Sequence, residues 1–128
     1  MSLNIINELV VANVQNSIQF YENNFNFTTE MKEGKPITWA QLKNNEAIIM
    51  LEDYNTVKSE ISNYPSKVHN SNLIKFEYSE LKEIKELYKT LKQNNIEFFM
   101  EYTETDYGKA EFGILDPDKN LILISAVM

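Results

Sequence analysis

The sequence contains no cysteine. Disulfides, thiolate metal sites and cysteine nucleophiles are therefore excluded outright. Histidine is nearly as scarce: His69 stands alone, and one imidazole does not make a metal centre. The three glycines, Gly34, Gly108 and Gly113, are isolated from one another, so no glycine-rich loop is available to cradle a phosphate. Apolar runs such as Ala47 to Leu51 are far too short to cross a bilayer. Met1-Ser2-Leu3-Asn4 lacks the basic and then apolar pattern of a secretion signal. The expectation is a soluble, cytoplasmic chain with no membrane partner. The net charge is −7, from 19 acidic and 12 basic residues. The lysines do not cluster in sequence and there is no arginine-rich tract, so nucleic acid is not an expected partner. The acidity serves solubility and, on a sharper reading, would attract a cationic ligand.

What is present suits one folded domain. The length is 128 residues, with seven Phe, seven Tyr and one Trp, enough apolar material for a core. Ile5 to Val11 reads as a strand. Asn13 stands as a helix N-cap, and Val14, Ile18, Tyr21 and Phe25 then recur at helical spacing. Asn26 tolerates the left-handed conformation and marks the helix stop. Three strand-like pieces follow, Phe27 to Lys32, Ile37 to Lys43 and Ala47 to Asp53, in the spacing of an antiparallel meander. Tyr54 to Asn70 is polar and reads as a linker, with a short helical turn near Val57 to Ile61. The pattern then returns. Asn72 to Tyr78 reads as a strand, and Leu81, Ile84, Leu87, Tyr88 and Leu91 mark a second amphipathic helix that ends at Asn94-Asn95. Ile96 to Thr105, Lys109 to Asp116 and Leu121 to Val127 close the chain as strands. The order is β-α-β-β-β twice: an α+β chain with module one at about 1–53, a linker at about 54–70 and module two at about 71–128.

Two signatures give this pattern a family resemblance. Ser17-Ile18-Gln19-Phe20-Tyr21 with Phe25-Asn26-Phe27 resembles a helix bearing Ser-x-x-Phe-Tyr followed by Leu-Gly-Phe. Gly108-Lys109-Ala110-Glu111-Phe112 with Asp116-Pro117-Asp118-Lys119-Asn120 resembles an ending of the form Gly-x-x-Glu-Phe … Asp-Pro-Asp-Gly-Asn. Both belong to the vicinal oxygen chelate superfamily of glyoxalase I, extradiol dioxygenases, fosfomycin-modifying enzymes and bleomycin resistance proteins. The resemblance covers nearly the whole chain. It implies two βαβββ modules whose mixed sheets curl into cups with the helices packed outside, the glyoxalase/bleomycin resistance fold. At three positions where the family has Gly, this chain carries Asn26, Asn95 and Lys119.

The resemblance also defines a test for metal. Metal-dependent members place one His, Gln or Glu on each of four inward-facing strands. The corresponding positions here are Ile6, Met50, Leu73 and Leu123, all unsuited to a divalent cation. A register error of one residue brings in Asn7, Ile49 or Asn72 and restores no site. No metal and no cofactor are expected, and metal-dependent glyoxalase or dioxygenase activity is not.

Strand alternation nominates the residues that line the cup. They are Glu8, Trp39, Gln41, Met50, Glu52, Glu77, Met100, Tyr102, Glu111 and Leu123, with Val10, Ile48, Phe98, Gly113 and Leu121 beside them. Aromatic, aliphatic and acidic groups together suit a flat or apolar molecule carrying positive charge. No nucleophile constellation stands out, because neither Ser17 nor Ser125 has an evident His partner. The chain is closest in pattern to the metal-free bleomycin resistance proteins. That likeness implies a ligand-binding protein that sequesters a compound such as an antibiotic, acting as a homodimer. The alternative is a metal-free isomerase or lyase using an inward glutamate as base.

Overall fold

A computed structural model describes residues 2–65 and 72–128. His69 and the end of the expected linker lie outside the described residues. The chain divides into two compact units, Met1–Val68 and His69–Met128.

The first unit contains β1 (Asn7–Val11), α1 (Val14–Phe25), β2 (Thr28–Glu33), β3 (Trp39–Asn44), β4 (Ala47–Asp53) and α2 (Tyr54–Glu60). Its four strands lie in the order β1-β4-β3-β2. β1 runs parallel to β4, and the other pairs are antiparallel. The polar segment after β4, read from sequence as linker, opens with a full short helix. Asp53 caps it by accepting from the Thr56 amide at 3.1 Å. Local cap chemistry sets α1 as well. The Asn13 side chain accepts from the Asn16 amide at 3.0 Å, and Asn26 ends the helix at φ 56°. Alternation along the strands sends Leu9, Val11, Ala40, Leu42, Ile49 and Leu51 to the face covered by α1. There they meet Val14, Ile18, Tyr21 and Phe25, all buried. Tyr21 packs edge-on against Phe27, with ring centroids 6.0 Å apart.

The second unit repeats the plan with β5 (Leu73–Tyr78), α3 (Leu81–Gln93), β6 (Phe98–Glu104), β7 (Lys109–Leu115) and β8 (Leu121–Val127). The strand order is β5-β8-β7-β6, with β5 parallel to β8. A reciprocal capping box at Glu80 and Glu83 starts α3. Ile84 and Leu91 bury against Phe112, Ile114, Ile122 and Ile124 of the sheet. The two βαβββ modules with curled mixed sheets are thus present as the sequence predicts. Among the described residues, no helix is long and apolar enough to cross a membrane.

The Asp-Pro-Asp signature proves to be turn architecture. The Asp116 carboxylate is buried and accepts from the Asp118 amide at 2.9 Å, the Asn120 amide at 2.8 Å and the Asn120 side chain at 2.8 Å. Lys119 sits inside that turn at φ 65°. Asn26, Asn95 and Lys119, the three positions expected to replace glycine, all adopt the left-handed conformation.

Candidate functional site

Each sheet has one face under its helix and one face without. In the first unit, register fixes which residues share the helix-free face. Glu8 pairs with Met50, and Val10 with Glu52, across the parallel β1–β4 ladder. Trp39 pairs with Glu52, and Gln41 with Met50, across β3–β4. All of these alternate with the buried residues under α1. The result is a patch in which Glu52 lies between Val10 and the Trp39 indole, with Glu8 beside Met50.

A bulge in β2 sets Glu30 and Met31 opposite Gln41. The Gln41 amide then donates to Glu30 at 3.1 Å, so its donor is partly committed. Glu8 and Glu52, in contrast, have no lysine within ion-pair distance among the described residues. Burial pushes the Glu52 carboxyl above the usual carboxylate range, and the negative charges of Glu8, Glu60 and Asp53 push it the same way. This face therefore carries two carboxylates without a lysine partner among the described residues, beside a half-buried indole.

The second unit uses its acidic residues differently. Glu77 lies 3.7 Å from Lys109. Glu111 is only 3% exposed. It accepts from the Tyr107 hydroxyl at 2.6 Å and the Ser125 hydroxyl at 3.2 Å, and it lies 3.8 Å from the Lys75 ammonium. Both carboxylates were expected on this face, and both are on it, but each is matched by a cation of its own module. Leu123 occupies the same face, opposite Lys75 on one side and Gly113 on the other.

β6 departs from plain alternation. Two register shifts each place two of its residues against one of β7. Met100 pairs with Gly113 between the two shifts. Tyr102 does not keep the expected face. Its ring lies 5.7 Å from that of Tyr88 on α3, and Phe98 and Phe112 lie 5.4 Å and 5.2 Å from the same ring. An aromatic cluster around Tyr88 therefore holds Tyr102 and Phe98 on the helix side, and the expectation for both is corrected.

The donor set does not fit a divalent metal. Ile6 immediately precedes β1, Met50 lies on β4, Leu73 opens β5 and Leu123 lies on β8, and none offers a hard ligand. Among the described residues, no group of three or more His, Cys, Asp or Glu side chains could hold a metal ion.

Sequence reasoning missed Lys75, Tyr107, Ser125 and Phe99 as neighbours of Glu111 and Gly113. Lys75 was within reach, since it shares a parity with Glu77 on β5. Phe99 was not, because a bulge changes the parity of β6 and leaves no compositional mark.

The model of the Glyoxalase/Bleomycin resistance protein/Dioxygenase superfamily matches residues 3–124. No curated protein matches the chain. Among solved structures, a glyoxalase/bleomycin resistance protein/dioxygenase from Nocardioides is 19% identical, with 100% of this chain and 86% of that one covered at a TM-score of 0.75. A lactoylglutathione lyase from Agrobacterium tumefaciens is 18% identical, with 98% and 94% covered at 0.76. A family enzyme from Burkholderia phytofirmans PsJN is 14% identical, with 94% and 95% covered at 0.81. At such identities these likenesses speak for the fold and leave function to the site.

Proposed function

We propose, from the premise that this chain belongs to the Glyoxalase/Bleomycin resistance protein/Dioxygenase superfamily, that it binds a small cationic aromatic molecule without a metal and without chemical change. A compound such as an antibiotic would be held by sequestration, and the protein would work as a homodimer, which light scattering of the purified chain checks. The observation that carries this reading is the helix-free face of the first unit. Two carboxylates that have no lysine partner among the described residues, Glu8 and Glu52, flank Met50 and Val10 beside the Trp39 indole. A planar cation would stack on the indole and bring its charge between the carboxylates. Cation–π attraction contributes about 0.5–2 kcal/mol in such a setting. The charge would also relieve the repulsion that raises the Glu52 carboxyl.

Titration of the protein with metal-free bleomycin and benzyltrimethylammonium, in the presence of a chelator and followed by Trp39 fluorescence, tests the proposal. Saturable quenching that survives the chelator and weakens roughly tenfold in Glu8→Gln, about 1.4 kcal/mol, supports it. A flat titration with both compounds removes it.

A second reading, a metal-free isomerase or lyase, is favoured by one feature. Burial and like charge make Glu52 a better proton acceptor than an ordinary surface glutamate. Mass spectrometry of a bound compound after prolonged incubation separates the two readings. Unchanged compound fits sequestration; a rearranged or cleaved product fits the enzyme.

A further inference from the structure

The helix-free face of the second unit pairs its carboxylates with lysines, Glu77 with Lys109 and Glu111 with Lys75. Lys75, Leu123 and Gly113 lie side by side across β5, β8 and β7. Glu111 is one alternation further along β7, paired with Ser125. Its buried carboxylate is held from two sides by the Tyr107 and Ser125 hydroxyls. The Lys75 ammonium stands 3.8 Å away, close enough for charge attraction but too far for a hydrogen bond. Glu111 thus orients Lys75 by charge without taking a hydrogen bond from it. The Lys75 side chain is 39% exposed.

The other end of the row is aromatic. A Cβ at Gly113 would meet three atoms of the Phe99 ring at 2.3–2.5 Å. The ring therefore lies directly on the sheet where the glycine leaves room, and no larger residue fits beneath it. Phe99 still exposes 40% of its surface. Leu123 pairs with Lys75 on one side and Gly113 on the other, and the Lys75 side chain reaches across β8 towards Glu111 of β7. A cation, an aliphatic residue and a ring surface on one sheet face match an amphipathic anion.

We propose that Lys75, Leu123 and Phe99, with Glu111 as the positioning residue for Lys75, form a binding site for a small aromatic monocarboxylate. The carboxylate accepts from the Lys75 ammonium and the ring packs on Phe99 above Leu123. The site shares no residue with the cation-binding face of the first unit and recognises the opposite charge.

Calorimetric titration of the full chain with benzoate and 3-phenylpropanoate tests this. Saturable binding at one site per chain is expected. Lys75→Met should weaken it at least tenfold, Lys75→Arg should retain most of it, and Phe99→Ala should weaken it severalfold. Lys109→Met, whose ammonium faces Glu77, should leave it unchanged, and Lys75→Met should leave titration with benzyltrimethylammonium unchanged. Circular dichroism establishes that each variant is folded. Absence of saturable binding, or binding by a folded Lys75→Met equal to that of the parent chain, overturns the proposal.

Discussion

Glu52 lies opposite Trp39 across β3 and β4, and its protonation couples ligand, pH and stability. Burial and the charges of Glu8, Glu60 and Asp53 raise its carboxyl above its ordinary value. A group whose folded pKa is raised is protonated more readily in the folded chain than in the unfolded one. Its favourable contribution is therefore complete below the unfolded pKa and is lost as pH rises through the folded pKa. Glu52→Gln should accordingly raise the denaturation midpoint at pH 7 and leave it nearly unchanged at pH 4, as denaturant titrations at the two values would show. Ligand binding has the opposite sign. A cation prefers the ionised carboxylate, so affinity should rise with pH through the Glu52 transition and then level off. Calorimetry in two buffers of different ionisation enthalpy would detect the released proton. The same substitution that stabilises the fold should thus weaken the ligand.

At the scale of elements, caps and turns carry the clearest consequences. The Asn13 side chain caps the N-terminus of α1, and Asn13→Ala should cost about 1 kcal/mol by thermal unfolding. Lys119 holds φ 65° in the Asp116 turn, a conformation that penalises a side chain with a Cβ. Lys119→Gly should stabilise by about 0.5–1 kcal/mol, because the exposed pairing of Lys119 with Glu97 contributes little. These devices were legible in the sequence, since caps and left-handed asparagines are local. The amphipathic periods of α1 and α3 were legible for the same reason, and so was the parity of β1, β3 and β4. The short helix at Tyr54–Glu60 was visible only as a turn, because a polar segment with one buried anchor, Val57, carries little periodicity. Tyr102 was misplaced because the two bulges of β6 are set by packing around Tyr88, an event in three dimensions. The pairing of Glu111 with Tyr107, Ser125 and Lys75 joins three strands and the β6–β7 turn, and no spacing in the chain announces it.

Charge acts at the scale of the whole molecule. A net charge of −7 attracts cations at long range and opposes anions, and salt screens both effects. The association rate of a cationic ligand should therefore fall by severalfold between about 0.01 M and 0.5 M salt, measured by stopped-flow fluorescence. An anionic probe at Lys75 should show the reverse trend in its association rate. Nuclear magnetic resonance tests the central claim most directly, because it locates the ligand as well as detecting it. Metal-free benzyltrimethylammonium should shift the Trp39 indole N–H and the Met50 methyl signal in saturable fashion, with both shifts lost together in the Glu8→Gln, Glu52→Gln double variant. Shifts confined to other residues, or shifts at Trp39 that persist in the double variant, would contradict the account.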